Sequence, residues 1–441
     1  MIDKIKTKLS EDIHFKELIQ GSLTFLILRI LGMIVGYTFT LIVTRTFGAS
    51  AWGIFALSFT VLQITSVIGK LGLDTALLRF IAQYNAQGKV KTAKYIYIKS
   101  IIIIVSLSFL LFIFLYYLSS LLAEKVFGKP HLAPYFKLIS FALLPFVLLS
   151  INLESLRAFK KIKEYTTLQI FLPFLFALIF FSISFYILNI KNIKVIIIAY
   201  ILGIGISFFL SFLLLNKEFS NKNGELEKVS LSQILSVSLP MLLTSSLFMV
   251  MSWTDTIMLG IWRTEKEVGI YNVAVRLSMI TSFTLGAINS IAAPKFAEFW
   301  GKNDLEGLKK IAQQSTKLIF WTSTPILILY ILFPKFFMGI FGKEFREGAL
   351  ALVFLTIGQF VNASVGSVGY ILQMTDKQKI FQNVVLIGSI INIILNIILI
   401  PTFGGTGAAI ASAIAISFIN IVPFFLIRYY YGFFTVSILK R

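Results

Sequence analysis

Long apolar runs alternate with short polar segments along the whole chain of 441 residues. A helix that crosses roughly 30 Å of hydrocarbon at 1.5 Å per residue needs about 20 apolar residues. Runs of this length predict about twelve membrane-spanning helices. They lie near residues 20–44, 51–72, 96–122, 136–156, 166–188, 195–215, 233–260, 268–293, 314–337, 347–372, 380–400 and 405–428.

The longest hydrophilic break, residues 216–230, falls between the sixth and seventh predicted spans. It predicts a linker between an N-terminal six-helix bundle at 1–215 and a C-terminal one at 231–441. Because six is an even number, both bundles would enter the membrane in the same orientation, as a parallel repeat about the membrane normal. The pattern therefore predicts an all-α integral membrane protein, with two pseudo-symmetric bundles around a central cavity.

An internal similarity supports this duplication. Shifting the sequence by 216 residues places Gly53-Ile54-Phe55 on Gly269-Ile270-Tyr271. Seven of the 32 aligned positions from Gly53 to Tyr84 are identical. We interpret this as a degenerate repeat, which makes the second and eighth spans equivalent.

Composition excludes several classes of protein. With 57% hydrophobic and only 14% charged residues, the chain is too apolar for an ordinary soluble globular protein. It contains no cysteine, which excludes disulfides and thiolate metal sites. The net charge of +20 is spread in short groups between apolar runs rather than in one patch, so it does not indicate nucleic-acid binding.

The distribution of positive charge predicts the orientation in the membrane. When residues within three positions of a span end are counted with the adjoining loop, 27 of the 40 Lys and Arg residues fall in the termini and the loops of one side, 11 in the loops of the other, and two inside spans. Positive charge marks the cytoplasmic side, so both termini are predicted to be cytoplasmic. The charged segment before the first span, with Lys4, Lys6 and Lys8, is predicted to be a helix on the cytoplasmic surface of the cell membrane.

Three charged residues lie well inside the predicted spans, more than three positions from either end, namely Arg29, Asp255 and Arg276. A charge at the centre of a span costs roughly 2.5 to 3.5 kcal/mol, so each is a candidate for function. Arg29 has no acidic residue within four positions. It is predicted either to hold an anionic substrate in the cavity, since a guanidinium matches phosphate oxygens, or to bond structurally to neighbouring helices.

Asp255 and Arg276 lie on consecutive spans, which are usually neighbours. They are predicted either to form a buried ion pair or to act separately. In the second case Arg276 contacts substrate and Asp255 is a coupling site that binds a proton or a sodium ion.

Two further arginines lie at predicted membrane boundaries, Arg45 at the outer surface and Arg79 at the inner one. Each is expected to anchor to lipid headgroups or, alternatively, to contact substrate. Lys70 and Asp74 are spaced i, i+4 and are predicted to pair with each other.

Several motifs resemble those of a known family, the polysaccharide flippases of the multidrug/oligosaccharidyl-lipid/polysaccharide exporter superfamily. The N-terminal part of the resemblance consists of Arg45-Thr-Phe-Gly, Trp52-Gly-Ile-Phe-Ala, Gly72-Leu-Asp-Thr-Ala and Arg79-Phe-Ile-Ala. The C-terminal part consists of Gln373-Met-Thr-Asp-Lys-Gln-Lys, Asn392, Asn396, Ile400-Pro and Gly404-Gly-Thr-Gly-Ala-Ala-Ile-Ala-Ser.

The resemblance implies a flippase that carries an anionic lipid-linked oligosaccharide, on a polyprenyl diphosphate, from the cytoplasmic to the outer leaflet. It implies alternating access, no cofactor and no enzymatic activity. Two alternatives stay open. One is a drug or organic-cation antiporter of the same superfamily, for which Asp255 is the only acidic candidate. The other is a membrane glycan polymerase or ligase, for which the outer loop at 121–135, with Glu124 and His131, offers the best of few acid-base groups.

Overall fold

The structure is a computed structural model that describes residues 13–220 and 225–436. The predicted surface helix at the N-terminus lies largely outside the described residues. Within them the protein is nearly all helical and has no β-strand. The α-helices are α1 (Ile13–Lys70), α2 (Leu73–Ala86), α3 (Val90–Leu121), α4 (Ala133–Ile139), α5 (Leu143–Ala158), α6 (Ile162–Thr166), α7 (Leu172–Ser182), α8 (Lys194–Phe219), α9 (Leu231–Trp262), α10 (Glu265–Ser278), α11 (Ile280–Gly301), α12 (Leu305–Leu332), α13 (Pro334–Gly339), α14 (Ala349–Val365), α15 (Val368–Met374) and α16 (Gln378–Tyr431).

Short π- and 3₁₀-helical segments extend several of these helices. The π-helices are Leu122–Val126, Thr167–Phe171 and Ile183–Ile187. The 3₁₀-helices are Pro130–Leu132, Ser140–Ala142 and Lys343–Gly348.

Two helices are long enough to cross a membrane twice. At 1.5 Å per residue, the 58 residues of α1 and the 54 residues of α16 would extend to roughly 87 and 81 Å if straight. Each contains one glycine with non-helical dihedrals, Gly48 (φ 79°) and Gly404 (φ 56°). Glycine tolerates positive φ without a steric penalty, so the chain turns sharply there. The breaks fall between the first and second and between the eleventh and twelfth predicted spans.

Eight segments of the described chain have the length and apolarity to span a membrane, and they include most of α1 and all of α16. The protein is therefore a multi-pass helical membrane protein, as the sequence predicts. The total of twelve spans stays a prediction.

The helices form two compact units. The first comprises Met1–Val43 and Ser58–Ser246, and the second comprises Thr44–Leu57 and Leu247–Arg441. In the first unit α8 packs against α5 and α7. In the second, α14 packs against α12 and α16, and a buried apolar cluster includes Phe296, Leu308 and Val368. The predicted pair of superposable bundles divided at 216–230 stays a prediction.

The described end of the hydrophilic linker is bound to the first unit. Glu227 forms an ion pair with Lys89 at 3.0 Å and accepts a hydrogen bond from Tyr84. The Thr92 hydroxyl donates to the carbonyl of Glu225 and accepts from the backbone N–H of Glu227. The Lys89 ammonium lowers the pKa of Glu227, and the carboxylate in turn raises the pKa of Lys89. Residues 225–227 are therefore attached to α2 and to the start of α3.

Candidate functional site

Asp255 is the buried charge around which the candidate site of the second unit is built, and only 5% of it is exposed. The hydroxyls of Tyr271 and Ser412 hydrogen-bond to its Oδ2, Tyr271 at 2.5 Å. The amides of Asn392 and Asn396 donate to its Oδ1 at 3.2 and 2.6 Å. These five residues are called the Asp255 site below.

Three helices bring these side chains together. Asp255 lies in the last part of α9, and Tyr271 lies 16 residues later on α10. Asn392 and Asn396 are four residues apart on the first half of α16, so they share one helical face. The break at Gly404 allows the second half of α16 to approach the first, and Ser412 reaches within 3.4 Å of Asn392.

The site offers one negative charge and otherwise neutral oxygens. Asn396 Oδ1 is buried and has no hydrogen-bond partner among the described residues. An unsatisfied buried oxygen is costly, so it calls for a ligand or a change of state. Oxygen ligands suit hard cations. The described residues contain no group of three or more His, Cys, Asp or Glu that could hold a metal ion.

The same geometry accommodates a proton. Amide N–H groups only donate, so Oδ1 acts as an acceptor in either protonation state. Hydroxyls both donate and accept, so the hydroxyls of Tyr271 and Ser412 can hydrogen-bond to Oδ2 whether the carboxyl group is ionised or protonated. A single carboxylate with these neighbours is therefore suited to one monovalent charge, either a proton or an ion such as sodium.

Arg276 makes other contacts than the predicted ion pair. The hydrogen bonds of Asp255 go to neutral side chains. Arg276 donates through Nε to Asn272 at 3.3 Å, and its guanidinium lies 5.0 Å from the centre of the Trp52 ring. The Trp52 indole N–H donates to the same Asn272 oxygen at 3.0 Å. The ion pair is thus not among the contacts of the described residues, and Arg276 is held against Trp52.

Arg45 lies in the short part of α1 that belongs to the second unit. Its Nε donates to the carbonyl of Ile340 at 2.8 Å. Next to it, Glu344 accepts from the backbone N–H of Ala49 at 2.6 Å, just after the break at Gly48. Arg45 is exposed and tied to the 340–344 segment, so its expected contact with headgroups or substrate stays a prediction.

Arg29 and Arg79 belong to the first unit. Arg29 lies half-buried in α1, and Arg79 is exposed on α2. Their roles toward substrate or headgroups stay predictions. The ion pair between Lys70 and Asp74 is confirmed at 3.0 Å.

Two glycines that the internal similarity makes equivalent lie against each other's helix. A Cβ on Gly53 would lie 1.8 Å from the carbonyl oxygen of Glu265, and one on Gly269 would lie 2.0 Å from that of Ala49. Each glycine thus contacts the segment that contains the other. Such a reciprocal contact is expected of elements related by a two-fold axis, while the equivalence of the two halves stays a prediction.

The sequence did not predict a functional role for four residues of the Asp255 site, namely Tyr271, Asn392, Asn396 and Ser412. Two signals were available. Asn392 and Asn396 are amides spaced i, i+4 in a strongly apolar segment, and both belong to the motif that resembles the exporter superfamily. Ser412 is the last residue of the Gly404-Gly-Thr-Gly-Ala-Ala-Ile-Ala-Ser run of the same resemblance, and Tyr271 lies in the internal repeat. Neither pattern predicts a contact with Asp255, because isolated hydroxyl residues are common in such helices.

Comparison with known families gives two matches. The family described as "Polysaccharide biosynthesis protein" matches residues 18–300, and the family MatE matches residues 240–398.

Among curated proteins, the probable low-salt glycan biosynthesis flippase Agl15 of Haloferax volcanii is 29% identical over 37% of this chain and 35% of its own length. The probable flippase AglR of the same organism is 28% identical over 38% and 36%. The uncharacterized membrane protein MJ1068 of Methanocaldococcus jannaschii is 25% identical over 82% and 74%. The matches to the two flippases therefore span about a third of their lengths.

Solved structures show the same fold at low identity. An inward-facing multidrug resistance MATE family transporter of the MOP superfamily aligns with a TM-score of 0.75 and 14% identity, covering 93% of this chain and 98% of that one. The lipid II flippase MurJ aligns with a TM-score of 0.72 and 16% identity, covering 93% and 87%. The chain thus has the fold of MOP-superfamily transporters.

Proposed function

Because the chain belongs to the polysaccharide biosynthesis protein family, we propose that it is a flippase for a lipid-linked oligosaccharide. It moves an anionic glycan carried on a polyprenyl diphosphate from the cytoplasmic to the outer leaflet, for cell-surface polysaccharide synthesis. The observation that carries the proposal is the family match over residues 18–300. Two relatives named as flippases and the MOP-transporter fold support it.

The proposed substrate contacts are arginines. Guanidinium groups bind phosphate oxygens through paired hydrogen bonds, and Arg29 and Arg276 lie within predicted spans. The cation–π contact of Arg276 with Trp52 and its bond to Asn272 fix the orientation of the guanidinium, which favours paired hydrogen bonds to phosphate oxygens. Arg45 and Arg79 assist at the two membrane surfaces.

Transport is proposed to be coupled to a cation at the Asp255 site. The site offers a single carboxylate and an unsatisfied Asn396 oxygen within the second unit. A proton or a sodium ion bound there would neutralise the buried charge. Such a change biases a transporter between its two conformations only if the ion binds one of them better.

We further propose that both termini and the linker are cytoplasmic, from the 27 to 11 charge asymmetry. The cysteine-free sequence allows single engineered cysteines to test this. Cysteines near Lys129 and Lys191 should react with an impermeant reagent added to intact cells, and a cysteine near Lys163 should not. The opposite pattern would reverse the topology.

Deletion of the gene tests the function. Cells that lack a flippase should accumulate the lipid-linked oligosaccharide on the cytoplasmic face and lose the surface glycan. Loss of drug efflux without such accumulation would favour the antiporter alternative, for which the MATE-like fold is the supporting observation. Accumulation of unpolymerised glycan on the outer face would instead indicate a polymerase or ligase.

A further inference from the structure

A cavity of about 220 Å³ lies within the second unit, at the end where α9 meets α10. Its walls come from α10, from the segment that joins the 3₁₀-helix Lys343–Gly348 to α14, and from α16 just beyond its break. This volume is large enough to admit several waters. The residues that line the cavity include Glu267, Tyr271, Glu347, Ala351 and Thr406.

Tyr271 separates this cavity from the buried carboxylate. It is a lining residue, yet only 1% of it is exposed, and its hydroxyl hydrogen-bonds to Asp255 Oδ2. The same residue therefore faces the cavity on one side and completes the Asp255 site on the other. Gly405 lies opposite, where a Cβ would meet the Cβ of Tyr271 at an ordinary 3.6 Å. A rotation of the Tyr271 side chain would break its bond to Asp255 and expose the carboxylate to the cavity.

Two carboxylates line the cavity, and the cationic residues that pair with them are not among its lining residues. Glu267 pairs with Arg263 at 3.8 Å, and Glu347 pairs with Lys266 at 2.6 Å. Only the two glutamates are among the lining residues. Because carboxylate oxygens and no cationic groups line the cavity, it is better suited to a cation than to an anion.

Contacts between the surrounding segments place the cavity at one end of the unit. Arg263 donates to the carbonyls of Ile400 and Pro401 at 3.0 Å, and the pair of Lys266 with Glu347 links α10 to the 343–348 segment. The connection between α9 and α10, the segment at 343–348 and the region of the break in α16 each join two predicted spans. All three connections lie on the predicted outer side of the membrane.

We propose that the coupling cation reaches Asp255 from the outer side through this cavity, with Tyr271 as the positioning residue between cavity and site. The inference rests on the proposed coupling at Asp255. It assigns to the cavity a role in the rate of cation binding, whereas the Asp255 site determines the affinity.

Two threonines of α16 give a matched test. Thr406 lines the cavity, and Thr402 is exposed on the same helix and is not a lining residue. Each is replaced by cysteine in the cysteine-free chain and modified with a bulky methanethiosulfonate reagent, which a reductant removes. In the purified full-length protein in nanodiscs, ²²Na⁺ association and dissociation are measured in one arm. Proton uptake after a pH jump is measured in the other.

Modification of Thr406→Cys should slow both association and dissociation by about tenfold, which corresponds to a barrier raised by about 1.4 kcal/mol. The equilibrium affinity should stay the same, and reduction should restore the rates. The arm that responds identifies the cation. Modified Thr402→Cys should match the unmodified protein.

Unchanged rates after complete modification of Thr406→Cys, with binding that still depends on Asp255, would overturn the cavity as the route and leave the coupling intact. A loss of affinity instead of rate would also overturn it, because the modification would then act on the site itself. If the parent protein binds neither cation in a manner that Asp255→Asn abolishes, the proposed coupling fails and the route fails with it.

Discussion

Replacing Asp255 by asparagine and by alanine separates the charge of the Asp255 site from its hydrogen bonds. Asparagine has nearly the same shape. Its amide nitrogen can face the hydroxyls of Tyr271 and Ser412, which accept as well as donate, while its oxygen still accepts from Asn392 and Asn396. We therefore expect Asp255→Asn to change the stability of the protein by less than about 1 kcal/mol.

Alanine removes the acceptor altogether. Asn396 retains a bond to Asn392 at 3.1 Å, and Asn392 retains one to Ser412 at 3.4 Å. The hydroxyls of Tyr271 and Ser412 lose the carboxylate in a buried environment. With about 1 to 3 kcal/mol for each buried group that loses its partner, Asp255→Ala should destabilise the protein by about 2 to 6 kcal/mol.

Thermal unfolding of the detergent-solubilised protein, followed by tryptophan fluorescence, measures both effects. The parent should be stabilised by the coupling cation. A ligand at 100 times its Kd contributes about 2.7 kcal/mol. NaCl is compared with choline chloride at equal ionic strength, and the pair of salts is repeated at two pH values to separate sodium from protons. Both variants should lose the cation-dependent shift, and transport in cells should be lost in both.

If Asp255→Asn keeps the cation-dependent shift of the parent, the negative charge of Asp255 is irrelevant to cation binding and the proposed coupling is wrong. A structural role for the Asp255 site is refuted if Asp255→Ala unfolds at the temperature of the parent, because the hydrogen bonds of the site would then not stabilise the fold. The asparagine variant serves as the control for folding in the transport assay.

Three further predictions concern other parts of the protein. Gly203→Ala should destabilise the protein by about 1 to 3 kcal/mol in thermal unfolding, because the new Cβ would lie 2.3 Å from a carbonyl oxygen of α7. Gly205→Ala on the same helix meets no atom within 4 Å and should be neutral or mildly stabilising. Equal effects of the two substitutions would contradict the packing of α8 on α7. Lys89→Glu and Glu227→Lys should each release the linker to proteolysis, and the double variant should restore protection. In the parent, protection from proteolysis should hold at neutral pH and fall as the pH drops below 4.5 through the lowered pKa of Glu227, where the carboxylate becomes protonated. Equal protection in all variants would exclude the ion pair as the anchor of the linker. Arg29→Ala should abolish glycan flipping while the protein stays in the membrane. Arg29→Lys should retain part of the flipping activity, because lysine keeps the positive charge but cannot form paired hydrogen bonds to phosphate. Normal transport by Arg29→Ala would show that Arg29 is structural.

Some properties of this protein follow from local sequence alone. A helix satisfies its backbone hydrogen bonds within its own segment, so an apolar run of sufficient length determines a membrane span without reference to the rest of the chain. The ion pair of Lys70 with Asp74 is local in the same sense, because the two residues lie four positions apart, and the sequence indicates it. Asp255 also stands out by itself, because a charge inside an apolar run is costly wherever its partners lie.

What surrounds Asp255 was decided by the tertiary structure. Its partners are 16 to 157 residues away, on two other helices, and hydroxyls and amides of the same kind occur at many positions that it does not reach. The predicted partner Arg276 turns instead to Trp52, which lies 224 positions earlier in the chain. Likewise Gly203 and Gly205 look alike in sequence, but only Gly203 faces a neighbouring backbone. Periodicity determines that a helix has faces, whereas only the packing of helices determines which face meets which neighbour.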